Sequence, residues 1–81
     1  MSSKKLSELR PGQSGTITKM SLTGSPRQRM MAMGFVKNEP VKVIRKAPLG
    51  DPIELEVKNY KLSLRKSEAA LIEVEVIHDA T

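Results

Sequence analysis

Few side chains in this sequence have the types and spacing that catalysis requires. The chain of 81 residues contains a single histidine, His78, and no cysteine. Because a general base, a nucleophile or a transition-metal site needs several such groups to converge, a lone histidine near the end of the chain predicts a solvated side chain. We therefore expect no enzymatic activity, no cofactor, and no catalytic or metal-ligating residue.

Carboxylates occupy alternate positions in two segments of the chain. Glu54 and Glu56 lie in the first segment, and Glu73 and Glu75 lie in the second. Alternation with apolar residues places such side chains on the outer face of a strand. Nothing in this spacing brings oxygens from different strands around one hard cation, so we predict a solvated face. Residues 48–52 include a glycine but lack the lysine and hydroxyl residue of a phosphate-binding loop, which predicts a structural turn.

The chemistry that the sequence does support is contact with another macromolecule. The thioether of Met31 is flexible enough to adapt to a partner's surface, and Arg27 and Arg29 can pair with acidic groups. The connection before them and the proline-rich loop 48–52 offer further contacts. We predict a partner-binding set of seven residues: Leu22, Arg27, Arg29, Met31, Pro48, Leu49 and Asp51.

The charge of the chain is unevenly distributed. Its formal net charge is +5, with +8 in residues 1–46 and −3 in residues 47–81. This asymmetry suggests an acidic partner, nucleic acid included, although the two halves of a small barrel interleave in space and can cancel. Nucleic-acid surfaces usually add stacking aromatic side chains, and we expect Phe35 and Tyr60 to lie in the core instead.

Residues 25–35 are predicted to form a short helix. Ser25 is a suitable N-cap, Pro26 suits the first helical position, and Gly34 can adopt the left-handed conformation that ends a helix. Met30 and Met33 are three residues apart and therefore lie on one face, which we expect to pack on a sheet. A helix of this length needs such packing to be stable.

The segments around this helix are predicted to be strands. Residues 13–20 form one, with Gly15 marking a bulge or a close backbone approach, and residues 41–46 and 72–76 form two more. The strongest local signal is a hairpin of residues 53–57 and 60–65. A two-residue turn sets Leu55 opposite Leu62, and it sets Glu56 opposite Lys61 on the outer face.

Two short turns complete the prediction: Leu6 and Leu9 point inward from one, and Ser67 caps the other. These elements predict an all-β domain with one short helix, in the form of a small, partly open antiparallel β-barrel. We expect a single domain, with its core in about residues 6–76 and a polar tail in residues 77–81. No apolar run is long enough to span a bilayer and no secretion signal is apparent, so we expect a cytoplasmic protein.

Four blocks of the sequence, in this order and spacing, resemble the FeoA family (ferrous iron transport protein A): LSELRPGQSGTI from residue 6, RMMAMGF from residue 29, APLGDPI from residue 47 and LSLRKSEA from residue 62. The resemblance covers nearly the whole chain, to about residue 76. Met30 stands where the family more often has leucine, a change that conserves volume.

The resemblance implies an SH3-like barrel in the cytoplasm that acts by protein contact with the membrane GTPase-permease FeoB in bacterial ferrous iron uptake. It also implies recruitment to the inner face of the membrane without insertion into it. The sequence is similar, too, to the SH3-like domain of some iron-dependent repressors. Four alternatives stay open: a nucleic-acid-binding or transcription-regulator-type module, a regulator of GTP hydrolysis, an iron carrier or sensor, and weak self-association.

Overall fold

The fold is built on one six-stranded antiparallel sheet, as seen in a computed structural model that describes residues 3–77. The strands are β1 (Ser3–Lys5), β2 (Ser14–Met20), β3 (Pro40–Lys46), β4 (Ile53–Val57), β5 (Tyr60–Leu64) and β6 (Ile72–Ile77). Their order in the sheet is β1-β6-β2-β3-β4-β5. Because β1 and β5 lie at opposite edges and do not pair, the sheet stays open, and the predicted partly open antiparallel architecture is confirmed.

Short helical elements connect the strands. A 3₁₀ turn (Leu6–Glu8) follows β1, helix α1 (Gly24–Ala32) joins β2 to β3, and helix α2 (Lys66–Ala69) joins β5 to β6. Among the described residues, no helix is long and apolar enough to cross a membrane. Helix α1, with nine residues, is the longest of the described helices, and it shapes the surface described below.

One core fills the curved face of the sheet. In β6, Ile72, Val74 and Val76 are buried and the glutamates between them are partly exposed, as the alternation predicted. Leu6 and Leu9 are fully buried at the 3₁₀ turn, which confirms their inward placement. The core is wholly apolar, since none of the buried side chains in residues 3–77 is polar or charged.

The hairpin of β4 and β5 has the predicted register. Leu55 lies opposite Leu62, and Glu56 lies opposite Lys61. Tyr60 is the exception to the predicted apolar face, because it is 55% exposed and the expectation that it lies in the core is wrong. It begins β5, which is an edge strand, so its ring lies at a corner of the sheet where less chain surrounds it.

Helix α1 begins earlier than predicted. Thr23 is its N-cap, without a side-chain hydrogen bond, and Gly24 is its first residue. The prediction of Ser25 as N-cap is therefore wrong, and Pro26 lies at the third helical position rather than the first. Proline is tolerated there because the first four N–H groups of a helix have no intrahelical partner.

The C-terminus of α1 ends as predicted, at a glycine with positive φ. Gly34 has φ +87, its N–H donates to the Met31 carbonyl at 3.0 Å, and the Phe35 N–H donates to the Met30 carbonyl at 2.9 Å. This pair of bonds is a Schellman motif, and the buried side chains of Met30 and Phe35 supply its apolar contact. Met33 is only partly buried because it sits at the C-cap, so Met30 is the one residue within α1 that is buried in the core.

Helix α2 also begins one residue before the prediction. It starts at Lys66, and Ser67 is not its N-cap. Two carboxylates satisfy its first N–H groups instead: Glu68 accepts from the Arg65 N–H at 2.9 Å, and Asp51 accepts from the Lys66 N–H at 2.9 Å. A carboxylate at this end also complements the helix dipole.

The sheet differs from the sequence-based prediction in three features. Strand β1, which pairs with β6, was not predicted. Of the two roles predicted for Gly15, a bulge or a close backbone approach, the structure shows the close approach. The irregularity in the pairing of β2 with β6 lies between Ile17 and Lys19 instead. Ile77 is the last residue of β6, so the predicted tail begins too early, and His78 lies outside the described residues.

Candidate partner-binding groove

A surface groove of about 460 Å³ runs between the end of β2, helix α1 and the segment that follows the helix. We call it the β2–α1 groove. Three of its residues are apolar and three are basic. Its lining consists of Thr18, Lys19, Met20, Arg27, Met31, Val36 and Lys37.

Buried residues hold helix α1 in place above the sheet. Leu22 is 3% exposed and anchors the connection that enters the helix, while Met30 and Phe35 are fully buried at its far end. The helix is therefore fixed to the core at both ends. Its remaining side chains are left to form the wall of the groove.

Backbone hydrogen bonds fix the opposite wall. The Asn38 N–H donates to the Ile17 carbonyl at 2.7 Å, and the Ile17 N–H donates to the Glu39 carbonyl at 3.0 Å. On the other side of β2, the Thr18 hydroxyl donates to the Glu73 carbonyl at 3.2 Å. These bonds tie the chain around Val36 to β2 before any ligand binds.

Arg27 and Met31 are four residues apart on α1 and share the face that lines the groove. Met31 is 44% exposed, and the Arg27 Nε donates to its Sδ at 3.4 Å. This contact holds the guanidinium beside the thioether. The site thus combines an adaptable apolar surface with a planar cation.

The groove is positively charged. Its described lining includes three bases and no acid. It lies within residues 9–38, a stretch that has no Asp or Glu and has five bases: Arg10, Lys19, Arg27, Arg29 and Lys37. The rest of the chain contains nine bases and nine acids, so the whole formal charge of +5 resides in this stretch.

Elsewhere the two halves of the sequence do interleave and neutralise each other. On the outer face of the sheet, Glu56 pairs in register with Lys42 on one side and Lys61 on the other, and Glu54 pairs with Arg45. Opposite charges on neighbouring strands attract weakly and offset each other's field. Pairing of β2 with β6 likewise sets Lys19 opposite Glu73, so the groove bases that lie outside the strands are Arg27 and Lys37.

The structure separates the predicted contact residues into several groups. Arg27 and Met31 line the groove, whereas Arg29 is exposed on α1 without lining it. Leu22 is buried in the core, so its expected surface position is wrong, because the connection needs an anchor where it enters the helix.

The three residues of loop 48–52 form a separate surface. Leu49 is 92% exposed, Pro48 is also exposed, and neither lines the β2–α1 groove. The Asp51 carboxylate accepts a hydrogen bond from the Lys66 N–H at 2.9 Å, so this residue also stabilises the start of α2.

The sequence did not single out the contribution of β2 to the groove. Thr18, Lys19 and Met20 all line the groove because the pairing of β2 shifts between Ile17 and Lys19, and periodicity does not reveal a shift of this kind. The absence of acids from residues 9–38 was the signal that could have identified this side of the molecule. Within residues 3–77, no three His, Cys, Asp or Glu side chains converge as a metal site would require.

Comparison with known proteins connects this fold to one family. The family model described as the FeoA domain matches residues 4–76. The Fe(2+) transport protein A/Fe(2+) transporter FeoB fusion protein of Porphyromonas gingivalis is 41% identical over 73 residues, which cover 90% of this chain and 9% of the fusion protein. A putative Fe(2+) transport protein A of Campylobacter jejuni is 32% identical over 72 residues, which cover 89% of this chain and 97% of that protein.

A solved structure supports the same assignment. FeoA of Stenotrophomonas maltophilia, complexed with zinc and described as an SH3 domain protein, superimposes with a TM-score of 0.72 at 32% identity. The match covers 86% of this chain and 87% of that one. The predicted SH3-like architecture is thereby confirmed. Because the family model matches residues 4–76 and the Campylobacter jejuni relative, 32% identical, is covered over 97% of its length, the chain belongs to the FeoA family.

Proposed function

We propose that this protein is an accessory of ferrous iron uptake that acts by binding the cytoplasmic part of FeoB. The observation that carries the proposal is the fusion relative, in which a domain 41% identical to this chain shares one polypeptide with FeoB. Fusion replaces association in solution by a high effective concentration. Whether linked or separate, the two proteins need a contact surface if the domain is to act on FeoB, and the higher effective concentration in the fusion strengthens such a contact.

The surface of this chain has features suited to that task. The β2–α1 groove presents Met31, 44% exposed, next to the guanidinium of Arg27. Interfaces commonly combine an apolar centre with charged residues at the rim, where the charges orient the encounter and the centre slows dissociation. We place the protein at the inner face of the membrane, held there by its partner.

The direct test is co-purification with intact FeoB from bacterial membranes, with and without GTP. We expect the protein to be retained with FeoB in at least one nucleotide state. The control is the same membrane preparation from cells that lack FeoB. Failure to co-purify in both states, with both proteins folded and abundant, would contradict the proposal.

Two surfaces compete for the contact, and a pair of variants separates them. Met31→Ser alters the groove, and Leu49→Ser alters loop 48–52; both side chains are exposed, so neither change should unfold the domain. We expect Met31→Ser to weaken retention with FeoB more than Leu49→Ser does. The opposite order would place the contact on the loop. Arg29 is proposed to extend the groove surface along α1, with a smaller effect.

A second candidate function, nucleic-acid binding, is favoured by the five bases of residues 9–38, a stretch that contains no acid. Binding through phosphate contacts requires affinity that falls steeply as salt rises, because each contact releases counterions. A titration of the protein into duplex and single-stranded DNA at several salt concentrations measures this slope. A flat or undetectable response excludes this candidate.

A further inference from the structure

We infer that the β2–α1 groove binds an acidic segment of a partner protein that inserts one apolar side chain between carboxylates. This inference rests on the proposed contact with FeoB and specifies what the partner presents. It follows from three properties of the groove: its size, its apolar floor and the positive charge of its rim.

The size and floor suit a short peptide segment. A volume of about 460 Å³ lies within the range of ligand pockets, roughly 300–1,000 Å³. Its apolar surface comes from Met20, Met31 and Val36, which are all at least partly accessible to solvent. Two of the three are methionines, whose flexible thioethers can close around side chains of different shapes.

The rim selects carboxylates. The Arg27 Nε donates a hydrogen bond to the Met31 sulfur, so the terminal nitrogens of the guanidinium are available to bind a carboxylate. Lys37 adds a second cation on the opposite wall. Lys19, on β2, adds a third that is partly offset because it pairs in register with Glu73. A basic partner segment would meet like charges with no carboxylate in the described lining to relieve them, which costs binding energy.

The lining also favours a protein segment over a nucleic acid. No aromatic side chain is among the described residues that line the groove, so it offers no platform on which a base could stack. Tyr60, the exposed aromatic residue, lies on β5, at the far edge of the sheet from β2.

The test is an NMR titration of the full chain with two probes: the cytoplasmic region of FeoB, and a short synthetic peptide in which glutamates flank a pair of leucines. The control peptide replaces the glutamates by lysines. We expect the acidic peptide and FeoB to shift the same backbone amides, those of the groove lining, and the basic peptide to shift none of them.

A matched pair of variants tests the charge requirement. Arg27 and Arg10 are both exposed arginines within the acid-free stretch, but only Arg27 lines the groove. We expect Arg27→Glu to weaken binding of both probes at least about tenfold, which is the effect of losing about 1.4 kcal/mol. We expect Arg10→Glu to change binding by less than about twofold, because only long-range attraction is altered there.

The possible outcomes distinguish a failure of this inference from a failure of the proposed function. If FeoB binds but shifts other amides, or if both variants weaken binding equally, the groove is not the site and the contact with FeoB stands. If the acidic peptide binds the groove but FeoB does not bind at all, the proposed partner is wrong and the groove's preference stands. Groove shifts caused by DNA but not by the peptide, or by raising the concentration of the protein alone, would overturn the inference in favour of nucleic acid or a second copy.

Discussion

Gly15 is the position at which a single added methyl group should disturb the sheet most directly. It lies in β2, between β3 and β6, and pairs in register with Val41 and Val76. A Cβ built on it would lie 2.8 Å from Val74 Cγ2 and 2.9 Å from Val74 Cβ. A rotation of the valine side chain moves Cγ2 but not Cβ, because the backbone fixes Cβ. Relief therefore requires β2 and β6 to separate.

The geometry sets the size of the effect. Ordinary contact begins at 3.4 Å, so the Val74 Cβ must retreat by about 0.5 Å against the hydrogen bonds that join the two strands. Overpacking of this kind costs about 1–3 kcal/mol, and the reduced freedom of the unfolded chain returns about 0.4–1 kcal/mol. We expect Gly15→Ala to lower the free energy of unfolding by about 1–2 kcal/mol.

Urea unfolding and thermal melts followed by circular dichroism measure this loss. For a domain of this size, each kcal/mol lowers Tm by about 4–8 °C. The double variant Gly15→Ala with Val74→Ala removes the contact with Cγ2, so its loss should be smaller than the two single losses together. An unchanged or raised Tm in Gly15→Ala would refute the reasoning, because it would mean that the strands are not as close as the structure places them.

Substitutions at three further places test the core, the end of α1 and the start of α2. Leu55→Ala should cost about 2–5 kcal/mol because Leu55 is fully buried, and Leu62→Ala should cost less because its site is partly exposed. Gly34→Ala should cost about 1–2 kcal/mol because φ is +87 at this position, where a Cβ is strained. Asp51→Ala should cost about 0.5–2 kcal/mol by removing the acceptor of the Lys66 N–H. Thermal and urea unfolding measure all three.

The same measurements contain the results that would contradict these expectations. Equal losses at Leu55 and Leu62 would mean that the hairpin is not buried as described. A Gly34→Ala variant as stable as the parent would mean that α1 does not end in the left-handed conformation. If Asp51→Ala left stability intact but weakened retention with FeoB, this residue would act through partner contact rather than through α2.

Sequence patterns predicted most of the sheet because its strands alternate strictly where one face is buried. The hairpin register followed from the apolar alternation of β4 and β5 together with a two-residue turn, and a shift by one residue would have exposed every apolar side chain. β6 was equally clear. β1 was missed because all of its three residues are exposed, so its pairing with β6 leaves no trace in the apolar pattern.

The two N-cap predictions were wrong for a different reason. Ser25 and Ser67 are good N-cap types, yet the structure uses Thr23 before α1 and the carboxylates of Asp51 and Glu68 at α2. A propensity identifies what a residue can do locally, whereas Asp51 reaches α2 from 15 residues away. Only the packed fold brings such distant groups together, and residue types alone do not reveal the choice.

The position of the groove follows from the same packing that the sequence did reveal. Met30 is drawn into the core by the Schellman contact with Phe35, and the next residue of a helix points about 100° away, so Met31 must face outward. Arg27, one turn earlier, then lies beside it. Strand pairing meanwhile sets acids of the second half of the chain opposite bases of the first half, including Glu73 opposite Lys19. Arg27 and Lys37 lie outside the strands and keep the groove positive. Met31 in the floor thus owes its exposure to the way the helix ends, whereas Arg27 and Lys37 in the rim owe their charge to positions outside the paired strands, and the proposed acidic segment has to match both features.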